Sequence, residues 1–157
     1  MQVLDTELAG ALDSHGFRPV ADPSRTIAGA DLLLKRQTWN TNRAVALVSS
    51  PSTPEPLGPF LKVLRRRVAF RCGFFPVLYG VGVQVVLLAP GFRKAGVDPA
   101  GYVASIDNQW AIIQSLFLVD TVENSYASAR SWGQVVTGKY QDAIAEVLSR
   151  HFRRTEE

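Results

Sequence analysis

The stretch Ala28-Gly29-Ala30-Asp31-Leu32-Leu33-Leu34-Lys35 decides how the rest of the chain is read. A glycine turn is followed by one carboxylate and then by an apolar run, the pattern of a strand entering a sheet. This strand is predicted over Asp31 to Trp39. Its returning partner is Arg43 to Ser49, reached through the turn Asn40-Thr41-Asn42, and the segment Ala44 to Val48 is apolar at every position. Continuous rather than alternating hydrophobicity marks a central strand covered on both faces. The strand runs out into Ser49-Ser50-Pro51, and residues 44–54 carry no charged side chain.

Outward from this pair, helices and strands follow at short intervals. Leu4, Leu8, Ala11, Leu12 and His15 share one face of a helix predicted over residues 4–15. Gly16 is its left-handed cap, with Phe17 placed to pack back. Phe17 to Val20 fits a short strand, and residues 21–29 form a loop with Asp22-Pro23-Ser24 as turn chemistry. After the proline-rich stretch Pro51 to Pro56, a helix enters through Leu57 and Gly58, carries Pro59 in its first turn and ends near Phe70. Phe60, Leu61, Leu64 and Val68 form its apolar stripe; Lys62 and Arg66 lie opposite, with Arg65 on a flank.

Val81 to Ala89 is a strongly apolar strand, and Asp98-Pro99 opens a short helix over residues 99–105. Trp110 to Asp120 is the next strand, Asn124 turns the chain, and Tyr126 to Val136 is the hairpin partner. Thr137 then caps a last helix, in which Tyr140, Ile144, Val147, Leu148 and His151 share a face. The fold class is α/β, a mixed sheet flanked by helices in the order α-β-β-(β)-α-β-(α)-β-β-α. No linker divides it, so one domain is expected over residues 1–157, with a core at about 4–90 and a C-terminal hairpin and helix at 98–152.

The 157 residues are 46% hydrophobic and 20% charged, which suits a globular chain with a real core. The net charge of +3 permits an anionic partner without requiring one, and much of the excess lies between Lys62 and Arg71. Cys72 is the only cysteine, so no internal disulfide forms; a cytoplasmic setting is expected. Met1-Gln2-Val3-Leu4-Asp5 has no basic region followed by an apolar core, so a signal peptide is not expected there. The most apolar stretch, Phe74 to Pro90, is shorter than a membrane span and is interrupted by Gly80, Gly82 and Gln84, so no membrane partner is expected.

Residues 4 to 90 resemble the restriction-endonuclease-like, or PD-(D/E)xK, fold. The likeness rests on the helix ending Leu12-Asp13-Ser14-His15-Gly16-Phe17, the strand start Gly29-Ala30-Asp31-Leu32-Leu33, the strand Val45 to Val48, the helix after Leu57 and the strand Val83 to Leu88. It implies a site where two acids hold Mg²⁺ or Mn²⁺ at a phosphate while a lysine assists. Asp31 matches the first acid. The second acid and the lysine belong near the end of the next strand, where this chain reads Val48-Ser49-Ser50-Pro51. One carboxylate seldom holds Mg²⁺ usefully. A nuclease would have to recruit Glu55, Lys62 or Lys35 beside Asp31; the ordinary reading of Asp31 is a surface strand-start carboxylate.

Other constellations have two readings each. Lys62, Arg65, Arg66, Arg67 and Arg71 make either a phosphate-binding face for nucleic acid or a solvated helix face. His15 and His151 can meet as a metal or base pair, or simply pack at helix ends. Cys72 is a nucleophile without a visible base, or a buried thiol. Asp107, Asp120 and Glu123 bind a cation or shape turns, and Trp39, Trp110 and Trp132 form a stacking pocket or pack the sheet. Ser125 to Gln134 has the irregular alternation of an edge strand, open to another chain or simply solvated. Because the second acid and lysine are missing, the expectation is a non-catalytic binding or assembly module without a cofactor. Its partner would be a protein or a second copy. The alternatives are a divergent metal-dependent nuclease and a nucleic-acid-binding protein.

Overall fold

Two strands with almost no exposed side chains form the middle of the molecule. β3 (Thr41–Ser49) and β4 (Gly80–Ala89) pair in parallel and are buried along nearly their whole length. Their runs of Val, Leu and Ala pack on both sides, as expected of strands sandwiched between helices. The computed structural model describes residues 2–20, 29–38, 41–73, 80–104, 111–131 and 134–155.

Around this pair lies one mixed sheet of seven strands: β1 (Arg18–Pro19), β2 (Leu32–Gln37), β3, β4, β5 (Ala111–Asp120), β6 (Ser125–Arg130) and β7 (Arg153–Arg154). Their spatial order is their chain order. β1, β2 and β3 are successively antiparallel, β3, β4 and β5 are parallel, β6 returns antiparallel to β5, and β7 is parallel to β6. Four helices complete the chain: α1 (Gln2–Asp13), α2 (Leu57–Arg71), α3 (Ala100–Ala104) and α4 (Gln134–His151).

The helices divide between the two faces. Leu57, Leu61, Leu64 and Val68 of α2 and Val103 of α3 join Ala44, Ala46, Val83, Val85 and Leu87 in one core. Leu4, Leu8 and Leu12 of α1 and Ile144, Val147 and Leu148 of α4 join Val45, Leu47, Val86, Phe117 and Val119 in the other. Each buried leucine or valine contributes about 1.5–3 kcal/mol relative to exposure. Both parallel crossovers pass over the same face, so the strand order never reverses, and the crevice found at a topological switch point does not form.

α1 ends as its sequence indicates. Gly16 has φ +80°, the amide of Gly16 donates to the Asp13 carbonyl at 2.8 Å and that of Phe17 to the Leu12 carbonyl at 3.1 Å. Phe17 folds back into the core. Asp98 Oδ1 caps α3 by accepting from the amide of Ala100 at 2.8 Å. Asn124, at φ +49°, makes the turn between β5 and β6.

Three boundaries differ from expectation. β6 stops at Arg130, and α4 already includes Gln134, so Thr137 lies inside the helix rather than at its cap. The hairpin partner is therefore shorter than Tyr126 to Val136. Beyond α4, Arg153-Arg154 forms an edge strand that the sequence did not indicate, because the amide of Arg153 donates to the Asn124 carbonyl and that of Thr155 to the Tyr126 carbonyl. Asp107, Trp39, Trp110 and Trp132, together with most of the loop 21–29, lie outside the described residues. Among the described residues no helix is long and apolar enough to cross a membrane.

Candidate functional site

Asp31 immediately precedes β2, beside the carboxyl end of β3. Its amide donates to the Leu47 carbonyl at 2.8 Å, and its Oδ2 accepts from the amide of Ser49 at 2.6 Å. The acid and the Ser49-Ser50 segment are thus brought together, as the alignment of the two strands requires. The chemistry of the contact is a backbone tie: the carboxylate uses one oxygen to hold the end of β3. Nearby groups at these strand ends are tied in the same way. The amide of Ser50 donates to the Leu88 carbonyl at 2.8 Å, its hydroxyl to the Ser52 carbonyl at 2.6 Å, and the Thr53 hydroxyl to the Pro90 carbonyl.

A second carboxylate approaches from α1, one for which sequence reasoning had no signal. Burial, and then the charge of Asp31, raise the pKa of Asp5, with the N-terminal amino group pulling the other way. Its Oδ1 is buried without a hydrogen-bond partner. The two acids therefore repel across the junction of α1 with the sheet. Among the described residues, no three His, Cys, Asp or Glu side chains come together as a metal site.

The remaining nuclease candidates are dispersed. Glu55 is exposed in the loop before α2, and Lys62 is exposed on that helix. Lys35 lies about 13 Å along β2 from Asp31. It faces the end of α2, where a Cβ on Gly73 would sit 3.5 Å from its Nζ. Its ammonium lies beside Gly73 rather than beside Asp31.

The basic helix is split by burial. Lys62, Arg66 and Arg67 are exposed, whereas Arg65 is 4% exposed and belongs to the buried stripe. Its flanking position was misjudged: Leu61 and Ala69 lie one turn to either side, so Arg65 falls on the same face as both. Burial lowers its pKa, and its Nε lacks a hydrogen-bond partner. Arg65 is thus set in the buried stripe, apart from the exposed Lys62 and Arg66.

His15 packs edge-on against Tyr140 at 5.4 Å, while His151 stands 3.3 Å from the Glu7 carboxylate. Tyr140 and His151 are separated by about 16 Å along α4, so the two histidines do not meet. Cys72 is fully buried, and burial pushes its thiol up to about 11 against a smaller opposite pull from Lys35. A buried thiol so raised carries little thiolate at neutral pH, as a structural cysteine does. Asp120 shapes a turn: its carboxylate accepts from the amides of Arg93 at 3.0 Å, Val122 at 3.0 Å and Glu123 at 3.1 Å.

β6 offers a surface of a different kind. Peptide groups alternate sides along a strand. Those of Asn124 and Tyr126 face β7, so those of Ser128 and Arg130 face the same outer side. β7 pairs only with Ser125 and Tyr126, which leaves the outer side of residues 127–130 without a strand partner among the described residues. No family model, no curated protein and no solved structure matches the chain.

Proposed function

We propose that the chain is a non-catalytic binding or assembly module on a degenerate nuclease-like core, and that it pairs through the outer edge of β6. The reading is carried by the bond from the Ser49 amide to Asp31: the carboxylate that would found a metal site ties two strand ends together. The open edge at Ser128 and Arg130 supplies the contact, since an exposed ladder of amides and carbonyls is completed by a strand from a second chain. Two copies meeting edge to edge about a two-fold axis would satisfy both ladders at once.

Light scattering on the purified chain tests this. An oligomer that persists in about 1 M salt, where screening acts within about 3 Å, is expected. Ser128→Pro removes an outward amide while sparing the bonds to β5, and should yield a monomer. A wild-type chain that stays monomeric at every concentration would sink the proposal. Cleavage of DNA or RNA with Mg²⁺ or Mn²⁺, abolished by Asp31→Ala, would replace it with the divergent nuclease.

A second reading draws on the exposed stripe Lys62, Arg66 and Phe70, spaced one turn apart on α2, with Phe70 63% exposed. Two cations and an aromatic ring suit a nucleic-acid backbone and base. Neutralising Lys62 and Arg66 together should then reduce salt-sensitive binding to single-stranded nucleic acid. Unchanged binding would remove this reading.

A further inference from the structure

Arg36 on β2 and Arg43 on β3 stand directly opposite each other in the antiparallel ladder. Like charges in that position repel. Both guanidinium groups lie over the ring of Tyr140 on α4, each 5.2 Å from its centre, and Arg36 Nη1 also donates to the Tyr140 hydroxyl. The ring face offsets part of the repulsion. The ring also makes T-shaped contacts with His15 and Phe17, at 5.4 and 5.2 Å between centres.

Beside this cluster lies a solvent-open depression lined by Ser14, His15, Gly16, Arg36, Lys139 and Tyr140. None of its lining residues is acidic. Asp13, the nearest carboxylate along the chain, pairs with Arg18. Burial, and then the neighbouring Arg36, lower the pKa of Arg43.

The same face of the sheet continues polar toward its middle. Arg43 pairs with Gly82, and Gln84 pairs with Ser115; by alternation all four share the face of Val45, Val86 and Phe117. Gln84 and Ser115 are fully buried, and neither side chain has a hydrogen-bond partner. Nearly every buried polar group in a folded protein has one. This end of the sheet is thus more polar than the leucine and valine packing toward the carboxyl ends of the strands, although Gln84 and Ser115 do not themselves line the pocket.

We propose that the pocket between the end of α1, β2 and α4 binds a small multiply charged oxyanion, a phosphate ester or a polycarboxylate. Arg36 supplies the planar fork and Lys139 a mobile ammonium at the rim. His15 is a further donor from the C-terminal end of α1, whereas the Ser14 hydroxyl already donates to the Ala11 carbonyl at 2.9 Å. The site is independent of the β6 edge and of the α2 stripe.

Thermal melting and calorimetric titration of the full chain with inorganic phosphate, a nucleoside monophosphate, malonate and citrate test it. At least one class should bind saturably and raise the melting temperature. Arg36→Gln and Lys139→Gln should each weaken that binding at least about tenfold, with Lys62→Gln as an unaffected control. Lys139 is exposed, so its variant remains informative if Arg36→Gln fails to fold. Binding of the phosphates alone assigns a phosphoryl ligand, and binding of the carboxylates alone assigns a polycarboxylate. Absence of saturable binding by all four, or equal loss with Lys62→Gln, overturns the proposal.

Discussion

Asp120 is 2% exposed at the end of β5 and has no cationic partner in its hydrogen bonds. Burial alone would raise its pKa. The amides of Arg93, Glu123, Gly91 and Val122 outweigh that and hold it below the ordinary carboxylate value. A depressed pKa stabilises the fold at pH values above the unfolded-state pKa, about 3.9, and this contribution is lost as pH falls through the folded-state pKa. Asp120→Ala should cost about 2–4 kcal/mol at neutral pH, read by denaturant unfolding, because several buried amides lose a charged acceptor. The variant should also show a flatter acid limb below about pH 4. A loss independent of pH would mean that the carboxylate's charge contributes nothing. Asp5 has the opposite sign, since its raised pKa favours folding on the acid side.

At the scale of elements, the end of α1 was the most legible feature, whereas the start of α4 was not. Gly16 followed by Phe17 encodes a Schellman cap through local chemistry alone, and the structure forms it with both characteristic bonds. Gly16→Ala should cost about 1 kcal/mol, seen as a lower melting temperature, because φ +80° strains any Cβ. The expected side-chain clash is absent, the nearest side-chain atom being 3.7 Å away, so a much larger loss would point to another cause.

Apolar stripes and runs were equally legible, since Leu61, Leu64 and Val68, or Val83 to Leu88, report burial by period. Arg65 escaped because its charge masked a position that spacing places inside the stripe; a long aliphatic stem lets such a residue pack. β6 was overextended because the expected strand was carried through Gly133, the residue whose chemistry argues for an earlier stop. Asp5 beside Asp31, and Tyr140 beneath two arginines, depend on how α1 and α4 lie on the sheet, and no local pattern encodes that docking.

For the whole molecule, the short strands at the sheet's margins govern how it meets its surroundings. β1 and β7 are two residues long, and each covers only part of a longer neighbour. Removing Arg153 to Glu157 would lengthen the open edge of β6 from residues 127–130 to 125–130. Self-association should increase at equal concentration, measured by light scattering, while most of the core stays intact. A truncated chain that associates less would show that the two C-terminal arginines themselves form the contact.

The coincidence of spatial and chain order has a consequence for biosynthesis. Each strand finds its partner in the strand made just before it, so the sheet can grow vectorially from one margin to the other as the polypeptide emerges. The face shared by α1 and α4 is the exception: Val86, Phe117 and Val119 gain their full cover only when the last helix arrives. Until then a nascent chain carries a broad apolar surface with its first helix waiting for its last, which makes the window before α4 is synthesised the one in which chaperone capture competes with folding.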